Sequence, residues 1–120
     1  MPMRIFHIAD AHDWTVAAAS GSYERSSRDL SLAEQGFIHA SRLDQVESVA
    51  QAIYADYRGS LVLLTIDPTR LTPPVVVEDG GTGELFPHIY GPINVDAVTA
   101  VHELRRDLVG RLVLPPTLTD

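Results

Sequence analysis

Apolar residues along the chain fall into short runs divided by turn residues, and their spacing switches between strand and helix periods. Arg4-Ile5-Phe6-His7-Ile8-Ala9 is rich in β-formers, with His7 on the face of Ile5. Asp10 then reads as an N-cap, Ala11 to Ser20 as a helix and Gly21 as its stop. Ser22 to Ser31 is polar, contains Tyr23, Arg25 and Arg28, and reads as an ordered loop. Gly36-Phe37-Ile38-His39-Ala40 predicts a second short strand. Ser41 with Asp44 resembles a capping box opening a helix, in which Val46, Val49, Ala50, Ile53 and Tyr57 recur at helical spacing until Gly59. Leu61 to Ile66 is almost wholly apolar, as in a strand covered on both faces. Asp67-Pro68 turns the chain, and Pro73-Pro74 leads into Val75 to Val77. Ala97 to Leu104 alternates as a strand, Asp107 to Gly110 turns, and Arg111 to Leu114 is a last short strand. Two early helices followed mostly by strands predict one α+β domain over residues 1–114, with 115–120 as a frayed tail.

The chemically densest segment is Glu84-Leu85-Phe86-Pro87-His88-Ile89-Tyr90-Gly91-Pro92, directly after the turn Asp79-Gly80-Gly81-Thr82-Gly83. Strand alternation puts Glu84, Phe86, His88 and Tyr90 on one side. His7, His39 and His88 each sit in a short strand, so a shared cleft is expected. His12 and His102 lack such company and read as helix surface and strand surface. Trp14 and Tyr23 read as core or cleft wall.

Composition narrows the chemistry. With 120 residues and 45% hydrophobic content, the chain has enough for one packed core. No apolar run is long enough to span a bilayer, and no basic-then-apolar leader opens the sequence, so a cytoplasmic protein with no membrane partner is expected. Cysteine is absent, which excludes disulfides, thiolate metal sites and a cysteine nucleophile. The net charge is −7 and every basic residue is an arginine, so general nucleic-acid binding is not expected. Arg25 and Arg28 read first as solvated loop charge, with contact to a ligand phosphate as the functional alternative.

His7, His39, His88 and Glu84 are ligand types that suit zinc or iron(II), but no pair has compact H-x-x-x-H spacing. Ser41 follows His39 without a G-x-S-x-G elbow, and Gly80-Gly81-Thr82-Gly83 is not followed by the lysine a phosphate loop needs. A two-carboxylate glycosidase would need a partner for Glu84, with Glu78 or Asp79 within reach in sequence.

Four blocks carry a family resemblance: Phe6-His7-Ile8, Gly36-Phe37-Ile38-His39-Ala40-Ser41, Leu63-Leu64-Thr65-Ile66-Asp67-Pro68, and Gly83 through Pro92. Together they resemble the domain of unknown function 952 family of small bacterial proteins, from about Arg4 to Leu104. That resemblance implies an ADP-ribosyltransferase-like fold, with split β-sheets around a cleft and NAD or an ADP-ribose-like nucleotide as ligand. By the same resemblance, His7 would hold the ribose. Glu84 would stabilise the oxocarbenium-like charge that develops as the glycosidic bond breaks. These two are the expected catalytic residues. The chain departs from the superfamily pattern at the middle strand, where Ile38 stands in place of a stacking tyrosine. His39, one residue on, faces the other way. His39, Ser41, His88, Tyr90, Arg25 and Arg28 are the expected ligand contacts. The alternatives are a non-catalytic module that binds a small ligand or a metal through His7, His39 and His88, or an interaction domain with a degenerate cleft.

Overall fold

The computed structural model describes residues 3–116 and 118. In chain order the strands are β1 (Ile5–Asp10), β2 (Ser22–Tyr23), β3 (Arg25–Ser27), β4 (Leu30–Ser31), β5 (Ile38–His39) and β6 (Leu61–Ile66). They continue as β7 (Val75–Asp79), β8 (Leu85–Ile89), β9 (Ile93–Asn94), β10 (Val98–Arg106) and β11 (Leu112–Val113). The helices are α1 (Ala11–Ser20), α2 (Leu32–Gln35) and α3 (Val46–Tyr54). Helix and sheet are thus mixed, and the sheet framework curls as a half-barrel.

Strands β1 and β6 organise the interior. They pair antiparallel from Ile5 opposite Ile66 to Asp10 opposite Leu61, and β10 and β11 extend this sheet in the order β1-β6-β10-β11. Alternation sends Ile5, Ala9, Leu64 and Ile66 into one apolar cluster and Phe6, Ile8, Leu61 and Leu63 into another. The apolar run Leu61–Ile66 therefore has no solvent face to mark with polar residues, as expected of a strand covered on both sides. A second sheet, β5-β8-β7, is tied to the first by reciprocal backbone hydrogen bonds between Phe6 and Ser41, each 2.8 Å. Pro87 sits inside β8 and lacks an amide hydrogen, yet its carbonyl accepts from Ala40 N at 3.0 Å.

Helix α1 begins and ends as the sequence predicts. The Asp10 carboxylate accepts from the amides of His12 and Asp13, and Gly21 closes the helix at a φ of 94°. Asp10 also receives the Tyr57 hydroxyl, which ties the cap to the chain beyond α3. Asp10→Ala is therefore expected to lower stability by about 1–2 kcal/mol. Asp10→Asn, which keeps an acceptor, should lose less than half of that, as read by urea denaturation of both variants.

Other expectations are corrected. Ser22 to Ser31 is not a loop but three short strands, because β2 pairs with β9 from the far end of the chain and β3 with β4. Helix α2 adds a third helix, opened by the Ser31–Glu34 capping box, an S-x-x-E signature present in the sequence. Ser41 caps nothing: it is 4% exposed and held in the bridge to Phe6, while Gln45 Oε1 accepts from Arg42 N at the start of the following turn. Helix α3 stops at Tyr54 rather than Gly59, where the Arg106 guanidinium donates to the Tyr54, Ala55 and Tyr57 carbonyls. Of the expected tail, Leu118 packs against the second cluster, while Thr117, Thr119 and Asp120 lie outside the described residues. No helix among the described residues is long and apolar enough to cross a membrane.

Candidate functional site

The register of the β5-β8-β7 sheet fixes which side chains gather. His39 lies opposite His88, Val76 opposite His88 on the other flank, and Glu78 opposite Phe86. Cross-strand partners share a face, so His39, His88, Glu78 and Phe86 stand together, with Tyr90 two residues beyond His88. The opposite face carries Ile38 and Ile89, both fully buried in the first apolar cluster. One face of this sheet thus builds the core and the other a polar floor.

Above that floor opens a cleft of about 450 Å³. Ser26 and Ser27 of β3, Gln35, Phe37, His39, Ile53, the Asp79–Gly81 turn and His88 line it. His88 is 3% exposed, and its Nδ1 donates to Glu78 Oε1 at 2.8 Å. The same carboxylate oxygen receives the Tyr90 hydroxyl. These two hydrogen bonds, Tyr90 first and His88 second, hold the Glu78 carboxyl below the usual glutamate range, so it is ionised at neutral pH. A carboxylate only accepts, so Nδ1 carries a proton, and the neutral form of the ring has its lone pair on Nε2. That Nε2 is buried without a protein partner, as is His39 Nε2, and both rings line the cleft. Their centroids are 5.8 Å apart. Burial, and then the neighbouring His88, lowers the His39 pKa to about 4, so His39 is neutral at pH 7. Phe37 stacks on His88 at 3.9 Å between centroids, with the planes 15° apart.

His7 lies behind this floor rather than in it. It is 3% exposed, its Nδ1–H donates to the His39 carbonyl at 2.6 Å, and its Nε2 accepts from the Tyr23 hydroxyl at 3.0 Å. Both ring nitrogens are occupied, and burial takes its pKa down to about 4. A ribose hydroxyl or a metal would have to displace one of these bonds, so the ligand set His7, His39 and His88 does not form. Among the described residues no group of three or more metal-ligand side chains is assembled.

The remaining expected contacts scatter. Glu84 precedes β8 instead of alternating within it; it is exposed, and its carboxylate accepts from Gln45 Nε2 at 2.9 Å. Arg25 pairs with Asp13 at 3.8 Å on another surface. Arg28 donates to Asp56 and to the Ile53 carbonyl, and lies over the Tyr57 ring. Ser41, held in the bridge behind His39, does not line the cleft. His39 and His88 meet there as expected, with Tyr90 joined to them through Glu78. His12 is exposed on α1, His102 is half-buried on β10, and Trp14 and Tyr23 belong to the first apolar cluster.

Glu78 and Phe37 are the contributors that the one-strand reading leaves out. Their signal lay in the turn: a hairpin closed about Asp79–Gly83 sets Glu78 across from Phe86 and diagonal to His88. Phe37 follows from parity with His39, two residues along.

Comparison with solved structures finds the same fold in protein CC0527 from Caulobacter crescentus. Its crystal structure is 30% identical, with a TM-score of 0.79 over 92% of this chain and 94% of that one. Its solution NMR structure, also 30% identical, gives a TM-score of 0.74 with 90% of each chain covered. No curated protein sequence matches the chain. Residues 8–101 match the family described as protein of unknown function (DUF952), and the chain belongs to that family.

Proposed function

We propose that the cleft binds the nicotinamide–ribose end of NAD, or the ribose end of an ADP-ribose-like nucleotide, and serves chemistry at the glycosidic bond. The observation that carries this reading is the pair of buried, unpartnered imidazole nitrogens, His39 Nε2 and His88 Nε2, on two rings that line one open cleft. A buried polar atom without a partner is costly, and a ligand that donates a hydrogen bond relieves that cost. Charge points the same way. Among the described residues no arginine lines the cleft, whereas Asp79 does, its carboxylate accepting from the Gly81 and Gly83 amides, and Glu78 is bonded to His88. Such a lining suits a cationic nicotinamide ring and the positive charge that grows on the ribose as its bond to nitrogen breaks. The pyrophosphate would then lie outside the cleft, in solvent. Phe37 offers the aromatic surface that Ile38, turned into the core, does not. Two sheets joined at Phe6–Ser41 beside a cleft agree with an ADP-ribosyltransferase-like architecture.

The test is calorimetric and thermal-shift titration with NAD, ADP-ribose and nicotinamide. Ligand present at 100 times its dissociation constant should add about 2.7 kcal/mol of apparent stability. We expect NAD to stabilise the protein and His39→Gln to lose that effect, while Glu84→Gln keeps it. Loss in Glu84→Gln with retention in His39→Gln would return the site to the glutamate expected from sequence. No shift with any of the three ligands would sink the nucleotide reading.

A further inference from the structure

We infer that His88, held by Glu78 and Tyr90, is the general base of this cleft and that the acceptor it serves is a hydroxyl, from water or a small alcohol. The inference rests on the reading of the cleft as a nucleotide site and adds the acceptor class. Glu78 fixes the tautomer: with its carboxylate on Nδ1, the lone pair of the neutral ring belongs to Nε2, a buried, unpartnered atom of a ring that lines the cleft. The same carboxylate then stabilises the imidazolium formed when Nε2 takes a proton. Tyr90 donates to the same Glu78 oxygen, which keeps the carboxylate in place and holds it ionised. Phe37, stacked on His88, blocks rotation of the ring. Glu78 and Tyr90 are therefore positioning residues, and His88 is the group that meets the acceptor.

In the step itself, the hydroxyl oxygen bonds to C1′ of the ribose and its proton passes to His88 Nε2. The C1′–N bond breaks, with its electron pair leaving on the nicotinamide ring nitrogen. With water, the products are ADP-ribose, nicotinamide and one proton, which His88 returns to solvent. The charged and titratable groups facing His88 are Glu78 from β7, His39 from β5, Tyr90 just past the end of β8 and Asp79 at the cleft margin.

The experiment incubates the full chain with NAD, with and without methanol, and separates the products by chromatography. Nicotinamide should appear with ADP-ribose, and methanol should divert part of the product to the methyl glycoside. His88→Gln should lower turnover by about 10²–10⁴-fold. Glu78→Gln, which swaps a carboxylate for a neutral amide of the same shape, should lower turnover and change the shape of the pH profile. Cooperative thermal unfolding of Glu78→Gln at a melting temperature close to wild type separates a positioning role from a folding defect. NAD that binds without releasing nicotinamide, or turnover indifferent to His88→Gln in a folded variant, overturns the base assignment and leaves the binding site standing. Absence of NAD binding removes both.

Discussion

His7→Ala is expected to lower folding stability by about 3–5 kcal/mol, the largest single-residue effect considered for this protein. The substitution strands two buried partners, the His39 carbonyl and the Tyr23 hydroxyl, each worth about 1–3 kcal/mol when left unsatisfied. It also opens a cavity beside Ile5 and Ala9 in the first apolar cluster. At roughly 4 °C per kcal/mol for a chain of this size, the melting temperature should drop by about 12–20 °C. Tyr23→Phe keeps the ring and removes only the hydroxyl, so it should cost about 1 kcal/mol. Urea denaturation of the two variants and their double mutant checks both figures, since residues in contact should couple. A His7→Ala protein as stable as wild type would show that His7 is reserved for a ligand after all. The expected result instead makes His7 a strut: it fixes the backbone of His39, whose side chain faces the cleft.

The second large effect is acid sensitivity. His7 stands at about 4 in the folded protein against an ordinary 6.5, chiefly through burial, with the His39 carbonyl opposing and the His39 ring adding to the depression. The unfolded chain therefore binds a proton on this residue at a pH where the folded chain does not. Stability attached to neutral His7 is intact above pH 6.5, falls as pH drops from 6.5 towards 4, and declines no further below 4. At about 1.36 kcal/mol per tenfold change in proton affinity, His7 alone accounts for about 2 kcal/mol between pH 6.5 and pH 5, and about 3 kcal/mol in full. His39, also at about 4, adds a loss of similar size over the same range. Asp10, Asp67 and Glu78 act in a lower window. Their carboxyls are held below the usual range, so their contributions are present above the unfolded carboxylate pKa and vanish as pH falls further. Denaturation at pH 7.5, 6 and 5 measures the upper window. Equal stability at all three would mean that His7 is not buried in its neutral form.

These two predictions share a cause with the correction at the site. Sequence alternation correctly places His7 beside Ile5, but it does not say what lies above that face. A polar residue on an apolar strand face reads as a catalytic candidate until the covering element is known. Here the cover is Tyr23, brought in by pairing of β2 with β9. Glu84 shows the converse error. Counted in steps of two it joins Phe86 and His88, but β8 begins only at Leu85, and Gln45 holds the glutamate outside the strand. The carboxylate that does reach His88 is Glu78, ten residues earlier and across a hairpin.

What the sequence determined by itself is the local structure whose signals lie within a few residues: Asp10 and Gly21 bounding α1, the apolar run of β6, the turn at Asp79–Gly83, and the cleft-facing parity of His39 and His88. Capping, hydrophobic period and glycine turns act over a few residues, so one chain carries them visibly. Tertiary structure alone decided which polar groups spend their hydrogen bonds internally and which keep a free nitrogen for the cleft. His7, Ser41, Arg25 and Arg28 find partners between 12 and 35 positions away, and His88 finds Glu78 while its Nε2 stays unpartnered. Hydrogen-bond capacity is local to a side chain, but its satisfaction is set by elements packed from elsewhere in the chain.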